Sequence, residues 1–83
     1  MKVLYFAWVR ERVGVAEETI SPPREVATLG QLVEWLKQRD EGYAAAFGDT
    51  RVIRAAIDQE HADFDAPLAG ASEVAFFPPV TGG

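Results

Sequence analysis

Cysteine is absent from this 83-residue chain. Its absence removes disulfides, thiolate metal sites, redox dithiols and cysteine nucleophiles together. Histidine occurs once, at His61. That excludes a multi-histidine metal cage, and no serine or cysteine near His61 suggests a catalytic triad, so it reads as a strand-surface residue. Positive charge is scarce, with 8 Lys+Arg against 13 Asp+Glu, a net charge of -5 and a pI of about 4.7. Such a balance repels a phosphate backbone, and Lys2, Arg10, Arg12, Arg24, Arg39, Arg51 and Arg54 are scattered, so nucleic acid is not an expected partner. No apolar run approaches the roughly 18 residues of a membrane span. The apolar stretch Val3-Leu4-Tyr5-Phe6 is too short for a signal-peptide core. Glu17-Glu18 and Asp63 with Asp65 match no calcium loop and read as solvated charge. The expectation is a soluble, cytoplasmic domain that binds no metal and touches no membrane.

What is present is enough apolar material for one core: 48% hydrophobic and 11% aromatic residues. A chain of this size buries only about 60% of its unfolded surface, so that core must be compact. Lys2 to Arg10 alternates and reads as a strand with Val3, Tyr5, Ala7 and Val9 inward and Leu4, Phe6 and Trp8 as an outer row. Glu17 to Ser21 reads as a second strand, stopped by Pro22-Pro23. Thr28 to about Arg39 is the one strong helix. Thr28 and Gln31 form a capping box, Leu29, Leu32, Val33 and Leu36 give an apolar stripe, and Lys37 and Arg39 suit the negative end of the dipole. Trp35 lies off that stripe and is placed under the loop at Tyr43. Gly42 reads as a stop, with one further helical turn over Tyr43 to Phe47. Val52 to Ile57, His61 to Phe64 and Glu73 to Phe77 read as strands, the first two joined by a tight turn at Asp58-Gln59-Glu60. One main helix among five strands predicts an α+β fold, a mixed sheet covered on one face by that helix, as in a β-grasp domain.

The end of the chain is its most informative stretch: Phe77-Pro78-Pro79-Val80-Thr81-Gly82-Gly83. Pro78-Pro79 stops the last strand and favours extended backbone. Gly82-Gly83 has no side chains and fits a slot too narrow for other residues. From Pro78 onward the tail reaches roughly 20 Å at about 3.3 Å per residue. Residues 1–77 therefore read as a folded body and 78–83 as an extended functional tail. Its terminal carboxylate is poorly electrophilic until activated. Adenylation would convert it to a mixed anhydride that a sulfur or amine nucleophile can attack. Phe6 and Phe77, if outward on neighbouring strands, would make an apolar partner-binding patch beside the exit.

These residues resemble the ubiquitin-like sulfur-carrier family, and within it the small subunits of molybdopterin synthase. The resemblance spans essentially the whole chain. It rests on Val3-Leu4-Tyr5-Phe6-Ala7 with Val9-Arg10-Glu11, on Ala56-Ile57-Asp58-Gln59, on Asp63-Phe64-Asp65 with Pro67-Leu68, and above all on Glu73 to Gly83. One departure is Ala71-Ser72, where members often carry Gly-Asp; Gly70 is expected to take over that turn. The resemblance implies a ubiquitin-like β-grasp fold and a carrier that is not itself catalytic. A ubiquitin-activating-type enzyme would use ATP to adenylate Gly83, a sulfur donor would convert it to a thiocarboxylate, and the chain itself would bind no cofactor. Pro78, Pro79, Val80, Thr81 and Gly82 would insert into the large subunit of the synthase. Gly83 would there give its sulfur to cyclic pyranopterin monophosphate, building the molybdopterin dithiolene. A sulfur carrier without cysteine must hold its sulfur at the terminus. Alternative readings are a sulfur carrier for thiamine thiazole synthesis, a ubiquitin-like protein modifier, or an interaction domain whose glycines are incidental.

Overall fold

The computed structural model describes residues 1–79; Val80, Thr81, Gly82 and Gly83, named above as tail and reactive terminus, lie outside the described residues. Strands β1 (Lys2–Tyr5), β2 (Glu17–Thr19), β3 (Arg54–Ile57), β4 (Glu60–Ala62) and β5 (Glu73–Phe77) form one mixed sheet in the order β2-β1-β5-β3-β4. The central pair β1 and β5 is parallel, and the other pairs are antiparallel. Helices α1 (Ala7–Val13), α2 (Leu29–Lys37) and α3 (Glu41–Ala46) complete the domain. This is the expected α+β fold.

The core forms where the period-two face of the sheet meets the apolar stripe of α2. Val3, Tyr5, Ala55, Val74 and Phe76 from the strands and Leu29, Leu32, Val33 and Leu36 from α2 are all buried. The α2 start follows from its sequence. Thr28 Oγ1 accepts from Gln31 N at 3.2 Å, and Gln31 Oε1 accepts from Thr28 N at 3.1 Å, which closes the capping box. The next donors are satisfied from outside the helix, Leu29 N by Ala66 O at 3.0 Å and Gly30 N by Phe64 O at 2.7 Å. That crossing takes Phe64 away from the sheet, which is why β4 ends at Ala62 rather than at Phe64. The Asp58-Gln59 turn is tight as expected, with φ +50° and +71°, the left-handed pair that a two-residue hairpin requires.

Three further expectations are corrected. The first strand stops at Tyr5. Ala7 turns to φ +53° and the chain enters α1, so Trp8 and Val9 lie on a helix and Trp8 leaves the outer row. Val9 is nonetheless buried. Gly14, at φ +100°, closes α1 with its N–H on Arg10 O at 2.8 Å, a glycine end-signal hidden behind the preceding alternation. Second, Gly42 does not stop a helix but lies inside α3, which Asp40 caps through Gly42 N at 2.8 Å and Tyr43 N at 3.3 Å. A Cβ at residue 42 would stand 2.5 Å from Arg12 O, so glycine is there to let α1 and α3 touch. Third, β3 starts at Arg54, because Asp49 Oδ1 accepts from Arg51 N at 3.0 Å and winds Thr50–Val52 into a 3₁₀ turn.

Candidate functional site

The site is built around the exit of β5. Val74 and Phe76 point into the core, so Ala75 and Phe77 fall on the opposite, helix-free face. Phe76 anchors the exit from behind. It is fully buried, edge-to-face with Phe47 at 4.9 Å and stacked on Tyr5 at 6.2 Å between ring centroids. A strand fixed this firmly delivers Pro78 and Pro79 in a set direction.

On the outer face the register gathers three elements around Phe77. Arg54 of β3 is its cross-strand partner. Tyr5 of β1 pairs with Phe76, and Phe6 N donates to Phe76 O at 3.1 Å. The extended Phe6 backbone continues the alternation of β1, which sets Phe6 on the same face as Leu4 and beside Phe77. Phe6 is 46% exposed, the largest exposure among the bulky hydrophobic side chains described. Phe6, expected on the first strand, is instead the residue between β1 and α1. A third ring joins Phe6 and Phe77: His61 stands edge-to-face with Phe77 at 5.4 Å. Sequence reasoning left His61 as an isolated surface residue. Its neighbour is set by the pairings of Ala56 with His61 and of Ala56 with Ala75, and no local pattern announces those.

The polar chemistry of the domain lies elsewhere. Glu18 was grouped with Glu17 as solvated charge. Glu17 does pair with Lys2 at the surface, at 2.9 Å, but Glu18 is engaged on every side. Its Oε2 accepts from Tyr5 at 2.8 Å and from Tyr43 at 2.5 Å, and its Oε1 accepts from Arg39 at 3.0 Å. Burial pushes the Glu18 carboxyl up, but the hydrogen bonds from Tyr43, Tyr5 and Arg39 outweigh it and hold the group below its ordinary range. Burial, followed by the bond to Glu18, pushes the Tyr43 phenol up to about 12 and raises that of Tyr5 further. Arg39 also lies over both Trp35 and Tyr43, at 5.4 and 4.9 Å, so Trp35 meets Tyr43 through that guanidinium. The cluster ties β2 to β1, to the turn after α2 and to α3, and takes no part in the exit. An open groove of about 760 Å³ between α2, Pro23 and Phe64 is likewise separate from β5. No group of three His, Asp or Glu among the described residues is placed to hold a metal ion, and no described helix is long and apolar enough to cross a membrane.

A five-stranded mixed sheet with a parallel central pair, packed on helices, defines a ubiquitin-like β-grasp protein. The chain belongs to the ThiS family, whose pattern it matches over residues 3–83. It is 40% identical over its whole length to the molybdopterin synthase sulfur carrier subunit of Escherichia coli, covering 99% of that protein. It is 38% identical to the molybdopterin synthase sulfur carrier subunit of Homo sapiens, covering all of this chain and 93% of that one. Among solved structures it is similar to a Pyrococcus furiosus protein described as molybdopterin converting factor, subunit 1, with a TM-score of 0.74, 32% identity and 95% of each chain covered. Small archaeal modifier protein 1 of Haloferax volcanii shares the fold, at a TM-score of 0.65 and 23% identity over 96% of this chain and 97% of that one.

Proposed function

We propose that this chain is the sulfur carrier subunit of molybdopterin synthase and that its working group is the Gly83 carboxyl. The carboxylate attacks the α-phosphorus of ATP on a ubiquitin-activating-type enzyme and releases pyrophosphate. A sulfur donor displaces AMP from the acyl adenylate and leaves a thiocarboxylate. Pro78, Pro79, Val80, Thr81 and Gly82 carry that group into the large subunit, where its sulfur passes to cyclic pyranopterin monophosphate. Two loaded tails serve each dithiolene. The body contributes no acid, base or metal to this scheme; Phe6 and Phe77 supply apolar docking area around the exit.

One observation carries the reading. Strand β5 leads through Phe77-Pro78-Pro79 into Val80-Thr81-Gly82-Gly83, in a chain 40% identical from end to end to a molybdopterin synthase sulfur carrier subunit. Incubation with ATP, a sulfur donor and the activating enzyme should raise the intact mass by about 16 Da, sulfur for oxygen. Deleting Gly83 should abolish the gain. An unchanged mass for the full chain, or a gain that survives the deletion, contradicts the assignment.

A further inference from the structure

Away from the tail exit, the flank of α2 lines the open groove of about 760 Å³. Backbone hydrogen bonds build its walls. Gly30 N donates to Phe64 O at 2.7 Å and Leu29 N to Ala66 O at 3.0 Å, which holds Phe64 and Asp65 against the start of α2. A Cβ at residue 30 would stand 3.0 Å from Phe64 O, so glycine admits that approach. Before the helix, Val26 N donates to Pro23 O at 3.0 Å and Ala27 N to Gln31 Oε1 at 2.7 Å. The groove is therefore preformed. Its apolar lining includes Val26, Trp35 and Phe64, each only half-buried. Its charged lining is all of one sign: Glu25, Glu34 and Asp65. The cations beside it do not balance these acids. Lys37 pairs with Glu34 at 3.2 Å. Arg39 lies over Trp35 at 5.4 Å, but its guanidinium is held by Glu18 at 3.0 Å. Arg24 is exposed and, like Glu25 and Asp65, forms no ion pair among the described residues.

We propose that this groove docks a segment of a partner protein that carries lysine or arginine beside apolar side chains. The proposal does not rest on the carrier function above. Apolar side chains of the segment cover Val26, Trp35 and Phe64, and its cations meet Glu25 and Asp65. An acidic segment is opposed by three carboxylates and by the net charge of -5. A second copy of this chain brings the same net charge and is opposed likewise. An open groove suits a length of chain, as an amphipathic helix lies in a hydrophobic groove. It suits a small molecule less, because ligand pockets enclose about 70–90% of what they bind. None of the lining residues belongs to β1 or β5, so a docked segment leaves the tail exit free.

The test is nuclear magnetic resonance titration of the isotope-labelled full chain, at neutral pH and constant ionic strength, with a leucine–lysine peptide of helical period about 14 residues long. The amide signals of Gly30, Gln31, Glu34 and Asp65 and the indole signal of Trp35 should move, and those of Ala75 and Phe77 should not. Glu25→Gln combined with Asp65→Asn should weaken binding about fivefold. Glu11→Gln combined with Glu60→Gln removes the same charge from exposed positions outside the groove, and should change the Kd less than about twofold. Equal weakening by both pairs overturns the proposal, since net charge alone then accounts for binding. Signals that move chiefly outside the groove, equally tight binding of the same peptide with glutamate in place of lysine, and absence of binding each overturn it too. Movement of the groove signals with protein concentration alone makes a second copy the occupant and overturns it as well.

Discussion

Glu18 accepts from two phenols and one guanidinium, so removing its carboxylate strands three donors at once. Glu18→Ala should lower stability by about 1–3 kcal/mol, read from the urea midpoint at unchanged slope. The acid limb supplies a second reading. The folded carboxyl is held below its ordinary value of 4.5. Its contribution is therefore present above that value and is lost as the pH falls through the lower, folded one. Glu18→Ala should lack this part of the acid-induced loss. An acid limb identical to that of the unmodified chain would show that the cluster does not stabilise the fold in the ionised form. At the exit, Phe77→Ala removes a ring from the outer face and leaves the core intact. It should weaken binding to the large subunit at least tenfold, about 1.4 kcal/mol or more, while the circular dichroism spectrum stays the same. Unchanged affinity would remove Phe77 from the docking face. None of the Glu18 contacts was legible in the sequence, because its partners lie 13, 21 and 25 residues away. Adjacent glutamates look alike until the fold separates them.

Among the elements, α2 and β5 were legible because their signals are local. A capping box, a four-residue apolar stripe and a cationic last turn lie within one short segment in α2. In β5, alternation runs up to a double proline. The first helix was masked because Leu4, Phe6 and Trp8 continue the alternation of β1 past the point where Ala7 breaks it. The Val9–Val13 spacing and Gly14 carried the helical signal, but over too few residues to compete. Gly42 was misread for a related reason: a glycine that ends a helix and one that admits a neighbouring helix look the same in sequence. The contact with Arg12 O separates the two roles. Gly42→Ala should destabilise the domain by about 1–3 kcal/mol through overpacking, although alanine is the better helix former. A thermal midpoint equal to or above that of the unmodified chain would mean that α1 and α3 do not depend on this close approach.

Taken as a whole molecule, the proposed function makes the fold a holder for the tail. The parallel pair β1–β5 sits at the centre of the sheet, the three aromatic rings of Tyr5, Phe47 and Phe76 lock it from the core side, and the chain leaves from its end. The resemblance in the last eleven residues made the function readable where the body alone would have indicated only a small α+β domain. The outer face was readable in part: Phe6 and Phe77 came from alternation, whereas His61 required the strand order. The central claim is that the terminal carbonyl carries the sulfur and the body only presents it. Its most direct test is reconstitution with the large subunit and cyclic pyranopterin monophosphate, comparing the sulfur-loaded full chain with a chain lacking Gly83 that has been through the same loading reaction. The account predicts dithiolene formation, stoichiometric with the thiocarboxylate supplied, from the first and none from the second. Product formed at the normal rate by the shortened chain would contradict it.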